Sequence, residues 1–133
     1  MQEPIIKAYA QSACVRQDKE HEEQVVFMQW CQLQEKKFPE LKLMFAIPNG
    51  GQRSITTASK LKKEGVKAGV PDLHLPVARG DYHSLFIEMK AGKNKATVHQ
   101  LKMMELLSLA GNFCVICHGA KEAIQATQSY LSL

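Results

Sequence analysis

Hydrophobic positions along the chain alternate between helical and strand-like spacing. From Asp18 to Lys37 the pattern is helical: Val26, Phe27, Trp30 and Cys31 recur three and four residues apart. Asp18 can act as N-cap, and Pro39 follows the end. Leu43 to Ile47 is a short apolar run, expected as a buried strand closed by the turn signal Pro48-Asn49-Gly50-Gly51. Ser54 or Thr56 can cap a short basic helix ending near Gly65. Val70 to Val77 is a strand with Pro71 and Pro76 near its ends; Arg79-Gly80-Asp81 turns the chain, and Ser84 to Lys90 returns as the second arm of a hairpin. After a lysine-rich loop come a helix from Thr97 to Ala110, a stop at Gly111-Asn112, a strand from Phe113 to Cys117 and a helix from Ala120 to Leu131. The order α-β-α-β-β-α-β-α predicts an α/β fold with a central mixed β-sheet flanked by helices. No repeat, low-complexity tract or linker divides residues 1–133, which read as one domain.

Composition narrows the class. With 133 residues, 45% apolar and 23% charged, the chain can bury a sizeable core. It has no apolar run near the roughly 20 residues of a bilayer span, so no membrane partner is expected. Residues 1–15 lack the basic start and apolar block of a secretory signal. Four scattered cysteines (Cys14, Cys31, Cys114, Cys117) suit reduced thiols and a cytoplasmic protein. Cys114 and Cys117 are spaced as C-x-x-C, but in a strand they point to opposite faces and no second pair completes a zinc site, so core packing is expected. Net charge is only +4, yet Gln52–Lys67 carries five basic residues against Glu64, and Lys90–Lys102 carries four with no acid. Either patch alone reads first as a solvated surface.

Between these patches lies the candidate chemistry. Pro71-Asp72 opens one strand, and sixteen residues after Asp72 the next strand carries Glu88-Met89-Lys90. Alternation puts Glu88 and Lys90 on one face, and a hairpin can bring Asp72 beside Glu88. Two carboxylates and an ammonium around one point suit Mg²⁺, which takes one or two protein carboxylates and leaves positions for water and phosphate. The competing expectation is a strand running out to solvent with an exposed Glu-x-Lys salt bridge. In the first helix Glu23 lies on the apolar stripe with Phe27 and Trp30, a costly place for an unpaired carboxylate; Glu22 fits the stripe only slightly less well. Gln100 shares a face with Met103, Met104 and Leu107, and either contacts the site or caps a strand edge. His74 and His118 are expected near the site or as structural histidines.

The stretches Glu23-Gln24…Gln29-Trp30, Ile47-Pro48-Asn49-Gly50-Gly51, Gly65-Val66-Lys67-Ala68-Gly69-Val70-Pro71-Asp72-Leu73, Leu85-Phe86-Ile87-Glu88-Met89-Lys90 and Thr97…Gln100 resemble the VRR-NUC nucleases, a branch of the PD-(D/E)XK superfamily, over residues 21–130. Residues 1–19 are left unassigned. The resemblance implies a restriction-endonuclease-like core and a Mg²⁺- or Mn²⁺-dependent endodeoxyribonuclease. By position, Asp72, Glu88 and Glu23 would hold the metal with the Met89 backbone carbonyl, Lys90 would be the catalytic lysine, and Gln100 would support them. Lys60, Lys62, Lys63, Lys67, Lys93 and Lys95, with Asn49, Gln52 and Arg53, would then contact DNA phosphates. A stand-alone domain of this size resembles viral and bacterial members, which implies a homodimer acting on four-way junctions in a bacterial or phage-infected cell. A less selective flap or restriction-like endonuclease, and a non-catalytic DNA-binding module, are the alternatives.

Overall fold

Six successive residues of Leu85–Lys90 are buried, including the charged Glu88 and Lys90, which places this strand in the middle of a sheet. The computed structural model describes residues 19–48 and 54–133. They form helix α1 (19–33), a 3₁₀ turn (Pro39–Leu43), β1 (Phe45–Ala46), α2 (Ile55–Lys63), β2 (Leu73–Leu75), β3 (Leu85–Lys90), α3 (Val98–Leu109), β4 (Phe113–His118) and α4 (Ala120–Leu131). The sheet runs β1-β2-β3-β4. β1, β2 and β3 are antiparallel neighbours, and β4 lies parallel to β3 after the α3 crossover. The expected mixed α/β architecture is present.

Alternation along β3 divides the sheet. Leu85, Ile87 and Met89 join Leu73, Leu75 and Cys117 in a core closed by Phe27 and Cys31 of α1 and by Ala120, Ala123 and Tyr130 of α4. Phe86, Glu88 and Lys90 therefore point to the opposite face. Cys117 packs in the core and Cys31 beside it; burial pushes both thiols up to about 12. Cys114 and Cys117 form no pair with each other, consistent with opposite faces of a strand.

Local chemistry sets the ends of the elements. Ser54 caps α2 by accepting from Thr57 N at 3.1 Å. Thr97 and Gln100 form a reciprocal capping box at the start of α3. Four expectations need correction. The buried strand expected over Leu43 to Ile47 is only Phe45–Ala46, both exposed, because Leu43 ends the 3₁₀ turn. The first helix stops at 33, not 37, and 34–37 turn because Pro39 holds Phe38 in a non-helical conformation (φ −126°, ψ 85°). Val26, assigned to the buried stripe, is 51% exposed; the stripe follows Phe27 and Cys31 instead. The strand around Asp72 shrinks to Leu73–Leu75, since Pro71 and Pro76 cannot donate to a ladder. Asp18 and the turn from Asn49 onward lie outside the described residues.

Candidate active site

Continuing the register that pairs Leu73 with Ile87 sets Asp72 opposite Glu88 and Pro71 opposite Met89. Asp72 Oδ2 accepts from Met89 N at 2.8 Å, so the side chain replaces the strand partner that ends here. In a strand a residue's N–H and C=O point the same way. The Met89 carbonyl is thus directed to the same place, and Pro71 has no N–H to offer it. The Pro-Asp pair ends the ladder and exposes one carboxylate and one backbone carbonyl at a single point.

Glu88 is 2% exposed. Its Oε1 accepts from Gln100 Nε2 at 2.8 Å and lies 3.6 Å from Lys90 Nζ. Its Oε2 is buried and takes no hydrogen bond. Burial, reinforced by the Asp72 charge, raises the Glu88 carboxyl to about 8, and Lys90 only partly opposes the shift. Asp72 is also raised, chiefly by burial, although the Met89 N–H favours its charged form. Two carboxylates facing one another in a low-dielectric site, one of them with an amide and an ammonium at Oε1 and an orphaned Oε2, are a donor set short of a cation. Among the described residues no group of three or more His, Cys, Asp or Glu side chains is gathered as a metal cluster. A small hard cation would therefore rely on Asp72, Glu88, the Met89 carbonyl and water, a set that suits Mg²⁺ or Mn²⁺.

The capping box explains how Gln100 serves this site. Its Oε1 accepts from Thr97 N at 2.8 Å, which fixes the amide so that Nε2 must point to Glu88. Of the two roles anticipated for Gln100, the contact with the site is made, and the strand-edge cap is replaced by a cap at the start of α3. The loop before Asp72 is pressed onto the same helix end: a Cβ at Gly69 would stand 2.3 Å from the His99 carbonyl oxygen, so Gly69 admits no larger residue.

Glu23, expected as a metal ligand, is engaged at the start of α4. Its Oε2 accepts from Ala120 N at 2.5 Å, where a carboxylate caps the otherwise uncapped start of α4. The helix-borne acid near the site is Glu20, one turn earlier, whose charge reaches Asp72. Glu20 Oε1 also lies 3.5 Å from Ala91 N and from Asn94 Nδ2, just beyond Lys90. Glu20 shares the stripe of Glu23 and Phe27, a signal available in the sequence but not decisive there. Two substitutions separate the roles. Glu23→Ala should cost about 1–2 kcal/mol of stability and leave Mn²⁺ affinity, measured by calorimetric titration, unchanged. Glu20→Ala should weaken that affinity about tenfold with little change in melting temperature. Loss of metal binding in Glu23→Ala without loss of stability would reverse the assignment.

His74 stacks on Phe86 (4.0 Å, 9°) and meets the edge of Phe45 (5.4 Å), with Nε2 buried and unbonded. Desolvation lowers its pKa, and alternation puts it on the sheet face of Asp72. Lys60, Lys62 and Lys63 lie on α2, Lys67 just after it, and Lys93 and Lys95 in the loop after β3; all six are exposed. Asn49, Gln52 and Arg53 lie outside the described residues.

Asp72 opposite Glu88, Lys90 two residues on and Gln100 from the crossover helix are thus gathered on one face of an antiparallel hairpin. The VRR-NUC domain model matches residues 7–121. A solved structure of a VRR_NUC domain protein is similar, with 36% identity and a TM-score of 0.75 over 86% of this chain and 89% of that one. No curated protein matches the chain. The chain belongs to the VRR-NUC family, and its function is of the nuclease type.

Proposed function

We propose that the chain is a divalent-metal-dependent endodeoxyribonuclease that cuts branched DNA, four-way junctions above all, as a homodimer. The observation that carries the metal requirement is the buried Glu88 carboxylate, one oxygen unpartnered, beside Asp72. Asp72, Glu88 and the Met89 carbonyl would hold Mg²⁺ or Mn²⁺, with Glu20 on α1 as an outer acid whose charge reaches Asp72. When bound, the cation polarises the scissile phosphate and makes water acidic enough to attack it. Gln100 occupies Glu88 Oε1, while Oε2 has no hydrogen-bond partner. Lys90, held beside Glu88, directs its ammonium at the attacking water and the charge gathering on phosphate.

The exposed lysines of α2 and the β3–α3 loop supply phosphate contacts without base recognition, which favours selection by DNA shape. No helix among the described residues is long and apolar enough to cross a membrane. Support for the dimer comes from α3, whose Val98, Leu101, Leu106 and Leu109 are all exposed beside the edge strand β4.

The test is cleavage of a labelled four-way junction beside a linear duplex of the same sequence, with Mg²⁺, Mn²⁺ or EDTA, together with sedimentation to weigh the assembly. Paired, metal-dependent cuts at the junction by a dimer are expected. Equal cutting of both substrates would leave a less selective endonuclease, and binding without cutting would leave a non-catalytic module.

A further inference from the structure

His118 closes β4 directly opposite Lys90 in the parallel register, so its ring lies on the sheet face of Glu88 and Lys90. Its backbone is fixed twice. His118 N donates to Glu122 Oε2 at 2.6 Å, and the next N–H, that of Gly119, donates to the Lys90 carbonyl at 3.0 Å. The imidazole then reaches past Lys90 to the following loop, with Nδ1 at 2.9 Å from the Gly92 carbonyl oxygen. A carbonyl only accepts, so Nδ1 carries the proton of this bond.

The loop it holds is short and charged. Asn94 N donates to the Ala91 carbonyl at 3.1 Å and closes a turn over 91–94, and Lys93 and Lys95 project from it into solvent. On the far side Glu20 Oε1 stands 3.5 Å from Ala91 N and Asn94 Nδ2, contacts too long to fix the loop alone. The His118 bond is the short side-chain tether between this loop and the edge strand. A flexible loop would have to order its two lysines each time phosphate bound, and a tethered one has already done so.

We propose that His118 is a positioning residue: through Nδ1 it holds the lysine-bearing loop 91–97 on the phosphate side of the site and so sets affinity for DNA. The proposal rests on the nuclease function proposed above and adds a residue that touches neither metal nor reacting atoms.

Three variants test it, because Asn places an amide nitrogen where imidazole has Nδ1, and Gln places one where imidazole has Nε2. A hydrogen bond of this kind is worth about fivefold in an equilibrium. His118→Ala should raise KM for DNA about fivefold, move kcat by less than about twofold, and speed amide exchange of residues 92–95 about fivefold in DNA-free protein. His118→Asn should restore KM and exchange together; His118→Gln should stay with Ala. Unchanged exchange and KM in His118→Ala, or an Asn variant as impaired as Ala, would overturn the proposal. If the wild type cuts no DNA, the nuclease function fails, and the exchange comparison still decides whether the tether exists.

Discussion

Lys90→Met is expected to lower the rate constant for DNA cleavage by about 10²–10³-fold, with DNA affinity and fold retained. The ammonium is 8% exposed on its side chain, and among the described residues it meets Glu88 at 3.6 Å, beyond hydrogen-bond distance. The ammonium is thus largely shielded from water and only loosely paired, an arrangement that is useful when phosphate oxygen arrives. Met keeps the apolar stem out to Cε and removes the ammonium, its charge and its donors together. Single-turnover kinetics with saturating protein isolates the chemical step. The opposing view, a plain structural salt bridge, predicts a stability loss and a near-normal rate. A Lys90→Met variant that melts early yet cuts within about threefold of wild type when corrected for folded fraction would remove Lys90 from the chemistry.

Glu88→Gln should abolish cleavage and yet make the metal-free protein more stable at pH 8, by about 1–3 kcal/mol. The direction follows from linkage. The Glu88 carboxyl is raised to about 8 in the folded protein against a usual 4.5. Between these values the folded state keeps a proton that the unfolded state has given up. Stability is therefore full below about 4.5, declines as pH rises, and levels off above 8. Asp72, also raised, adds to the same decline. Gln does not titrate. It can still accept from Gln100, and its own amide can donate to Asp72 where two carboxylates formerly faced each other.

Chemical denaturation from pH 5 to 8.5 in EDTA reads both parts: a falling wild-type curve and a flatter variant curve that crosses above it. Saturating Mn²⁺ should then lift the wild type by about 2–3 kcal/mol at a hundred times its dissociation constant, and the variant by little. A wild-type curve flat across this range, or equal stabilisation of both proteins by Mn²⁺, would mean that Glu88 is neither the raised group nor a ligand. The pattern expected is a site that holds strain for function, relieved by a substitution that ends activity.

Alternation in Leu85–Lys90, the hairpin turn and the Pro-Asp pair were enough to place Asp72, Glu88 and Lys90 on one face, because strand side chains have a period of two and one register sets them all. The caps at Ser54 and Thr97 are equally local, each a side-chain oxygen accepting from a backbone N–H three residues on. Those features belong to the sequence by itself. Only the tertiary structure chose between Glu20 and Glu23. Periodicity puts both on the inward stripe of α1, and the difference is about 4.5 Å along the helix axis, a displacement fixed by how α1 docks on the sheet and on the start of α4. Burial of Glu88 is likewise a property of the assembled sheet: the same Glu-x-Lys at an exposed edge would titrate normally. The half-exposed Val26 and the His118 tether were out of reach for the same reason. Local spacing says which way a side chain points, and packing alone says what it meets there.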